Sequence, residues 1–199
     1  MKKWISYAFL VCSFFTYGQA KVKNAYKQYS KGEIERAIEL LNEVKIDDAG
    51  REYYYVRALC NIESAASSEQ FLNVYNDIIR ANPASEADPK VVEQLEKNFD
   101  LNQTSFNEME KRFFALAFNY YQGINTLPNW KEHNTRYKLS PYRDTAIYYE
   151  GMSAFTEANA GGGDKAKLQV VIREYPTKSA SRLAYNALGE IEFAEARSS

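Results

Sequence analysis

The last helix-length stretch of the chain constrains the fold most. Ala180, Leu183, Ala184, Ala187, Leu188 and Ile191 lie at offsets 0, 3, 4, 7, 8 and 11. That spacing gathers all six on one side of an α-helix, whereas a strand would scatter them over both faces. The same three-and-four spacing recurs upstream, and no segment sustains a period of two. With 5 Pro and 9 Gly in 199 residues, turn formers are too sparse for a sandwich of many short strands. The expected fold class is all-α.

Local signals divide the pattern into helices. A first hairpin is expected over about residues 21–45. It carries Val22, Ala25, Tyr26 and Tyr29, then a break at Lys31-Gly32, then Ile34, Ala37, Ile38, Leu41 and Val44. A second is expected over about 51–81, with a small-residue turn at 64–68 and a stop at Asn82-Pro83, because the residue before proline is pushed out of the helical region. Asp88-Pro89 has the form of an N-cap with proline in the first turn, ahead of Val91, Val92, Leu95 and Phe99. Ser105-Phe106-Asn107-Glu108 resembles a capping box opening a longer helix that ends near Gly123. Residues 124–140, with Pro128, Trp130 and the single His133, are expected to form a long irregular loop. Ser140-Pro141, the Gly161-Gly162-Gly163 turn, Asp164 and Tyr175-Pro176 bound the remaining helices. The expected count is about eight antiparallel helices in four hairpins. Hairpins recurring roughly every 30 to 45 residues signal stacked helical units, each hiding its apolar stripe on the next.

The N-terminus reads as an address. Lys2 and Lys3 precede an apolar run from Trp4 to Phe15, and Thr16-Tyr17-Gly18 offers small residues at the positions a signal peptidase reads. The run falls short of the roughly 20 residues that span a bilayer. Lipidation at Cys12 is disfavoured, since the bulky Val11 precedes it and it sits inside the apolar run. The expected organisation is a signal peptide over 1–18 and one helical domain over 19–199, periplasmic or secreted. Removal of the leader leaves 23 basic against 26 acidic side chains, a charge of −3, and a single cysteine, Cys60. An intrachain disulfide is then impossible, and Cys60 in its apolar setting reads as a small buried hydrophobe.

Tyr29-Ser30-Lys31-Gly32-Glu33-Ile34-Glu35-Arg36-Ala37 resembles the centre of a tetratricopeptide repeat (TPR). Gly32 matches the glycine of the inter-helix turn. Ala37 and Ala25 match small positions where two helices approach closely. Asn82-Pro83 is similar to the proline that closes a repeat, with Tyr75 and Ile78 ahead of it, although Phe71 stands where alanine is expected. Leu168 to Pro176, followed by 179–187, resembles the divergent repeats of periplasmic and outer-membrane assembly proteins. The resemblance implies a TPR-like α-solenoid that binds a protein or peptide partner of the cell envelope in a groove lined by the first helix of each pair. Carried over by position, the groove residues are Val22, Tyr26, Tyr29, Tyr53 and Val56, with Tyr120, Tyr121, Tyr148 and Tyr149 as weaker additions. Tyrosine suits both roles open to it, packing between helices and anchoring a partner.

Catalytic chemistry has little to work with. One histidine and one mature cysteine cannot build a zinc cluster, and a serine triad would have to use His133. The triple glycine has no following Lys-Ser or Lys-Thr, so it lacks the form of a phosphate loop. A net charge of −1 gives no basic excess for nucleic acid. No metal or cofactor is expected. The expected role is a non-catalytic scaffold or adaptor, with a structural accessory subunit of an outer-membrane assembly or secretion complex as the alternative.

Overall fold

A computed structural model describes residues 18–45 and 50–199. The described residues form helices joined by turns, with no strand among them. Ten α-helices follow one another. They are α1 (18–29), α2 (Ile34–Asn42), α3 (Arg51–Asn61), α4 (Ser68–Ala81), α5 (Pro89–Phe99), α6 (Gln103–Ile124), α7 (Leu127–Arg136), α8 (Arg143–Asn159), α9 (Lys165–Glu174) and α10 (Ser179–Ser198). The expected leader, apart from Gly18, lies outside the described residues, as do residues 46–49 between the first two expected hairpins. No described helix is long and apolar enough to cross a membrane.

Most boundaries have a local cause. Gly32 takes φ +81°, and its N–H bonds the carbonyl of Tyr29 while that of Glu33 reaches Gln28, the paired bonds of a Schellman stop. Ser67 caps α4 by accepting from the Gln70 N–H, Asp88 caps α5 through Lys90, and Asp164 caps α9 through Lys167. Asn82 and Tyr175 end α4 and α9 ahead of their prolines.

Two expectations fail here. Residues 124–140 are not a loop, because they contain α7, and the described residues hold ten α-helices where about eight were expected. Pro128 sits in the first turn of α7, where a missing N–H costs nothing. Trp130, His133 and Tyr137, at spacings of three and four, are fully buried. The start of α6 is also displaced. Asn102 accepts from the N–H groups of Thr104 and Ser105 at 3.0 Å each, so the helix opens at Gln103, ahead of the capping box expected at Ser105.

The chain divides into two compact units, the first ending at Leu116 and the second running from Ala117 to Ser199. In the first unit α3 packs on α4 and α2 on α3. Ala25, Ala37, Ala58 and Ala81 are fully buried, where side chains that stop at Cβ allow close approach of backbones. Phe113 of α6 stacks on Tyr75 of α4 with centroids 5.6 Å apart. Tyr26 of α1 meets Tyr55 of α3 and, edge-on at 6.0 Å, Phe99 of α5. Lys23 donates to Asn98 at 2.8 Å, so α5 lies against the face of α1 that the TPR pattern would leave open.

In the second unit α7 packs on α8, α8 on α9, and α10 on both α8 and α9. Ala154, Ala158, Leu168, Val171, Tyr175, Ala180 and Ala184 form one core cluster. A Cβ at Gly151 would stand 3.2 Å from the Ala180 methyl and from the Tyr175 ring, so glycine sets how closely α8 approaches its neighbours. Glu150 joins three elements: Asn134 of α7 and the Tyr175 hydroxyl each donate to one of its oxygens at 2.7 Å.

Ala37→Asp tests this packing. A carboxylate placed at a fully buried alanine is taken out of water, and destabilisation of about 3 kcal/mol or more is expected. Thermal denaturation followed by circular dichroism should show a large drop in Tm, and an unchanged Tm would refute the placement of α2.

Candidate functional site

The five expected groove residues separate by burial. Val22, Tyr53 and Val56 are buried. Side chains inside the packing cannot line an open groove, which corrects that expectation for all three. Tyr26 is half-buried among Tyr29, Tyr55 and Phe99. Burial pushes its hydroxyl above the ordinary value, with Asp100 adding to the shift. Tyr29 alone among the five lines one of the described cavities.

That cavity, of about 570 Å³, lies where the end of α1 and the start of α2 meet the end of α3. Tyr29, Ile34 and Leu59 give it apolar walls. Glu63 and Arg112, an ion pair at 2.5 Å, stand on its polar side. Cys60 lines it too, but the thiol is buried and burial pushes it up to about 11, so it stays protonated and unreactive near neutral pH.

A second cavity, of about 460 Å³, runs between α3 and α4 and is lined by Arg57, Asn61, Asn73, Asn76, Asp77 and Arg80, with Ser64 at one end. Arg57 and Asp77 are bound two-fold: Nε donates to one carboxylate oxygen at 2.7 Å and Nη2 to the other. Arg57 also donates to the Tyr53 hydroxyl at 3.1 Å and lies over the Tyr53 and Tyr54 rings. Hydrogen bonding to Asp77 holds the guanidinium above its ordinary value. Burial pushes the Asp77 carboxyl upward, against the pull of Arg57. Arg80 also lies over the Tyr54 ring, at 5.1 Å, and is exposed to solvent. Two guanidinium groups facing one carboxylate leave the cleft positive. Ser64 also lines the cavity at Tyr29, so the two meet at the C-terminal end of α3.

The weaker tyrosine candidates lie in or beside the second unit's aromatic box. Tyr121 is fully buried, another correction, and Tyr120 packs edge-on against it. Tyr149 stacks on Trp130 at 5.1 Å and accepts from Gln122 at 3.0 Å. Tyr148 and Tyr149 line a shallow cavity of about 380 Å³ with Met152 and Thr156. His133 sits inside this box, in edge contact with Phe118, Tyr121, Trp130 and Tyr137. Its Nδ1 meets Asn134 at 3.3 Å, and its Nε2 has no partner among the described residues. It is a packed ring, with no solvent-facing edge for general acid–base work. No described group of three His, Cys, Asp or Glu side chains is placed to hold a metal ion.

Burial lowers the affinity of His133 for a proton below that of an ordinary histidine, near 6.5. The native chain therefore keeps the ring neutral where an unfolded chain would protonate it. Stability is complete above that ordinary value and falls as pH drops below it, by at most about 1.4 kcal/mol per pH unit from this group. The Tm should decline faster between pH 7 and pH 5 in the native sequence than in His133→Gln, and parallel pH curves would refute the assignment.

No family model, no curated protein and no solved structure matches this chain.

Proposed function

We propose that this chain is an exported, non-catalytic helical adaptor, and that it binds an extended segment of a cell-envelope protein around the C-terminal end of α3. One observation carries the reading: the apolar cavity at Tyr29 and the polar, positive cleft between α3 and α4 share Ser64. Together they suit a segment that seats one apolar side chain between Tyr29, Ile34 and Leu59. An acidic group, or the main chain itself, then reaches Asn73, Asn76 and Arg80. Side-chain amides supply both donors and acceptors to a peptide backbone, and tyrosine and arginine are the residues over-represented in binding hot spots.

The TPR-like reading of the first unit belongs to this proposal. Gly32 in its left-handed turn and the buried Ala25 and Ala37 support it for α1 and α2. The groove is not the one the repeat pattern implied, because α5 covers α1 there. Export rests on the leader pattern in residues 1–18.

A photo-crosslinking residue introduced at Asn73 or at Ile34 should form adducts with envelope proteins in cells, while one at the exposed Glu93 of α5 should not. Tyr29→Ala combined with Arg80→Ala should reduce those adducts about tenfold, the effect of losing between one and two kcal/mol at a hot spot. Adducts at none of the three positions, or equally at all three, would sink the groove. Sequencing of the exported protein should begin at Gln19, and a cytoplasmic chain retaining Met1 would sink the export reading.

A further inference from the structure

Removal of the leader after Gly18 makes Gln19 the first residue of the chain and of α1. A glutamine in that place holds a nucleophile and an electrophile together. Its α-amine and its side-chain amide carbon are spaced to close a pyrrolidone ring. Gln19 is exposed, so no packing stops the side chain from turning back onto the amine.

The surroundings oppose a charged amine. From Gln19 to Tyr29, α1 carries Lys21, Lys23 and Lys27 and no acidic residue. The start of a helix presents the positive end of its dipole, so the backbone repels an ammonium there as well. Gln19 lines a cavity of about 410 Å³ with Lys23, one turn along the same face, and with Lys90 from the first turn of α5. Carboxylates close to these lysines have other work. Glu43 pairs with Lys21. Asp88 caps α5, accepting from the Lys90 N–H at 2.9 Å. Glu52, the one acidic residue lining the cavity, is buried and lies back against Gly50 at the start of its own helix. An α-amine ordinarily gives up its proton near pH 8, and neighbouring cations favour the neutral form, which is the nucleophile that ring closure needs.

We propose that residue 19 of the exported protein is a pyroglutamate formed once the leader is removed, an inference that rests on the export reading above. The α-amine nitrogen of Gln19 attacks its own amide carbon, Cδ. The bond from Cδ to the amide nitrogen breaks, and that nitrogen leaves as ammonia with the proton that the amine gives up. Nothing is oxidised or reduced, and no atom enters from outside. The lactam is uncharged, and its carbonyl offers the lysines of the cavity an acceptor in place of a repelling cation. A chain closed in this way presents no free α-amine to an aminopeptidase.

Labelling tests this on the full sequence expressed and exported by cells. Free amines of the exported protein are methylated before digestion, and its first peptide is sequenced by mass spectrometry. The expected peptide begins at position 19, lacks the mass of one ammonia and carries no label on its first nitrogen. Gln19→Ala should begin at the same position and carry the label. A native chain with an open, labelled Gln19 overturns the proposal and leaves export standing. A chain that begins elsewhere overturns it too, and one that retains Met1 takes the export reading with it. Gln19→Ala, with its ammonium restored, should unfold at a lower temperature than the native chain below the ordinary α-amine value near pH 8. That gap should narrow as pH rises through the value. A gap that ignores pH would overturn the part given to charge.

Discussion

Helices in this protein come together where side chains end at Cβ or before it. Ala25, Ala37, Ala58 and Ala81 in the first unit, and Gly151, Ala158, Ala180 and Ala184 in the second, are almost fully buried. Their size sets the inter-helix distance. The large rings can then fill the wider spaces to either side, as Tyr75 and Phe113 do in one unit and Trp130 and Tyr149 in the other. Packing built this way depends on volume, and no disulfide contributes to it among the described residues, where Cys60 is free.

The same packing decides which surfaces remain open. With Phe99 of α5 against Tyr26 of α1, much of the apolar stripe of the first helices is interior: Val22, Tyr53, Tyr55 and Val56 are buried, while Tyr26 is half-buried and Tyr29 still lines a cavity. Openings persist at the ends and sides of α3, where polar residues interrupt the apolar pattern. The Arg57–Asp77 pair keeps one such opening in shape. A buried carboxylate bound two-fold by a guanidinium is costly to separate and weak as a source of net stability. Its contribution is to hold Tyr53, Tyr54 and α4 in fixed register along the cleft.

Much of the fold is written in short-range signals. The Gly32 stop, the Asp88 and Asp164 caps and the two proline stops depend on a few neighbouring residues, and each stands where the sequence places it. α7 was hidden because proline, histidine and charges resemble loop chemistry. Its stripe of Trp130, His133 and Tyr137 was the available sign of a helix. The open cavities were less legible. How far Tyr26 faces solvent depends on Phe99 of α5, which lies dozens of residues away and which no spacing within α1 announces. The link between Arg57 and Asp77 likewise crosses from one helix to the next, and no spacing within either helix announces it.

The Glu150 carboxylate, shared by Asn134 and Tyr175, ties α7 and the end of α9 to α8 at one point. Its release would leave two donors and an anion unsatisfied together in a half-buried place, a penalty that neither outer helix can avoid by fraying alone. Amide hydrogens along α7 and around Tyr175 should accordingly trade with deuterated solvent as one event. The second unit would then behave as a single latch that opens whole, with no outer helix peeling back by degrees.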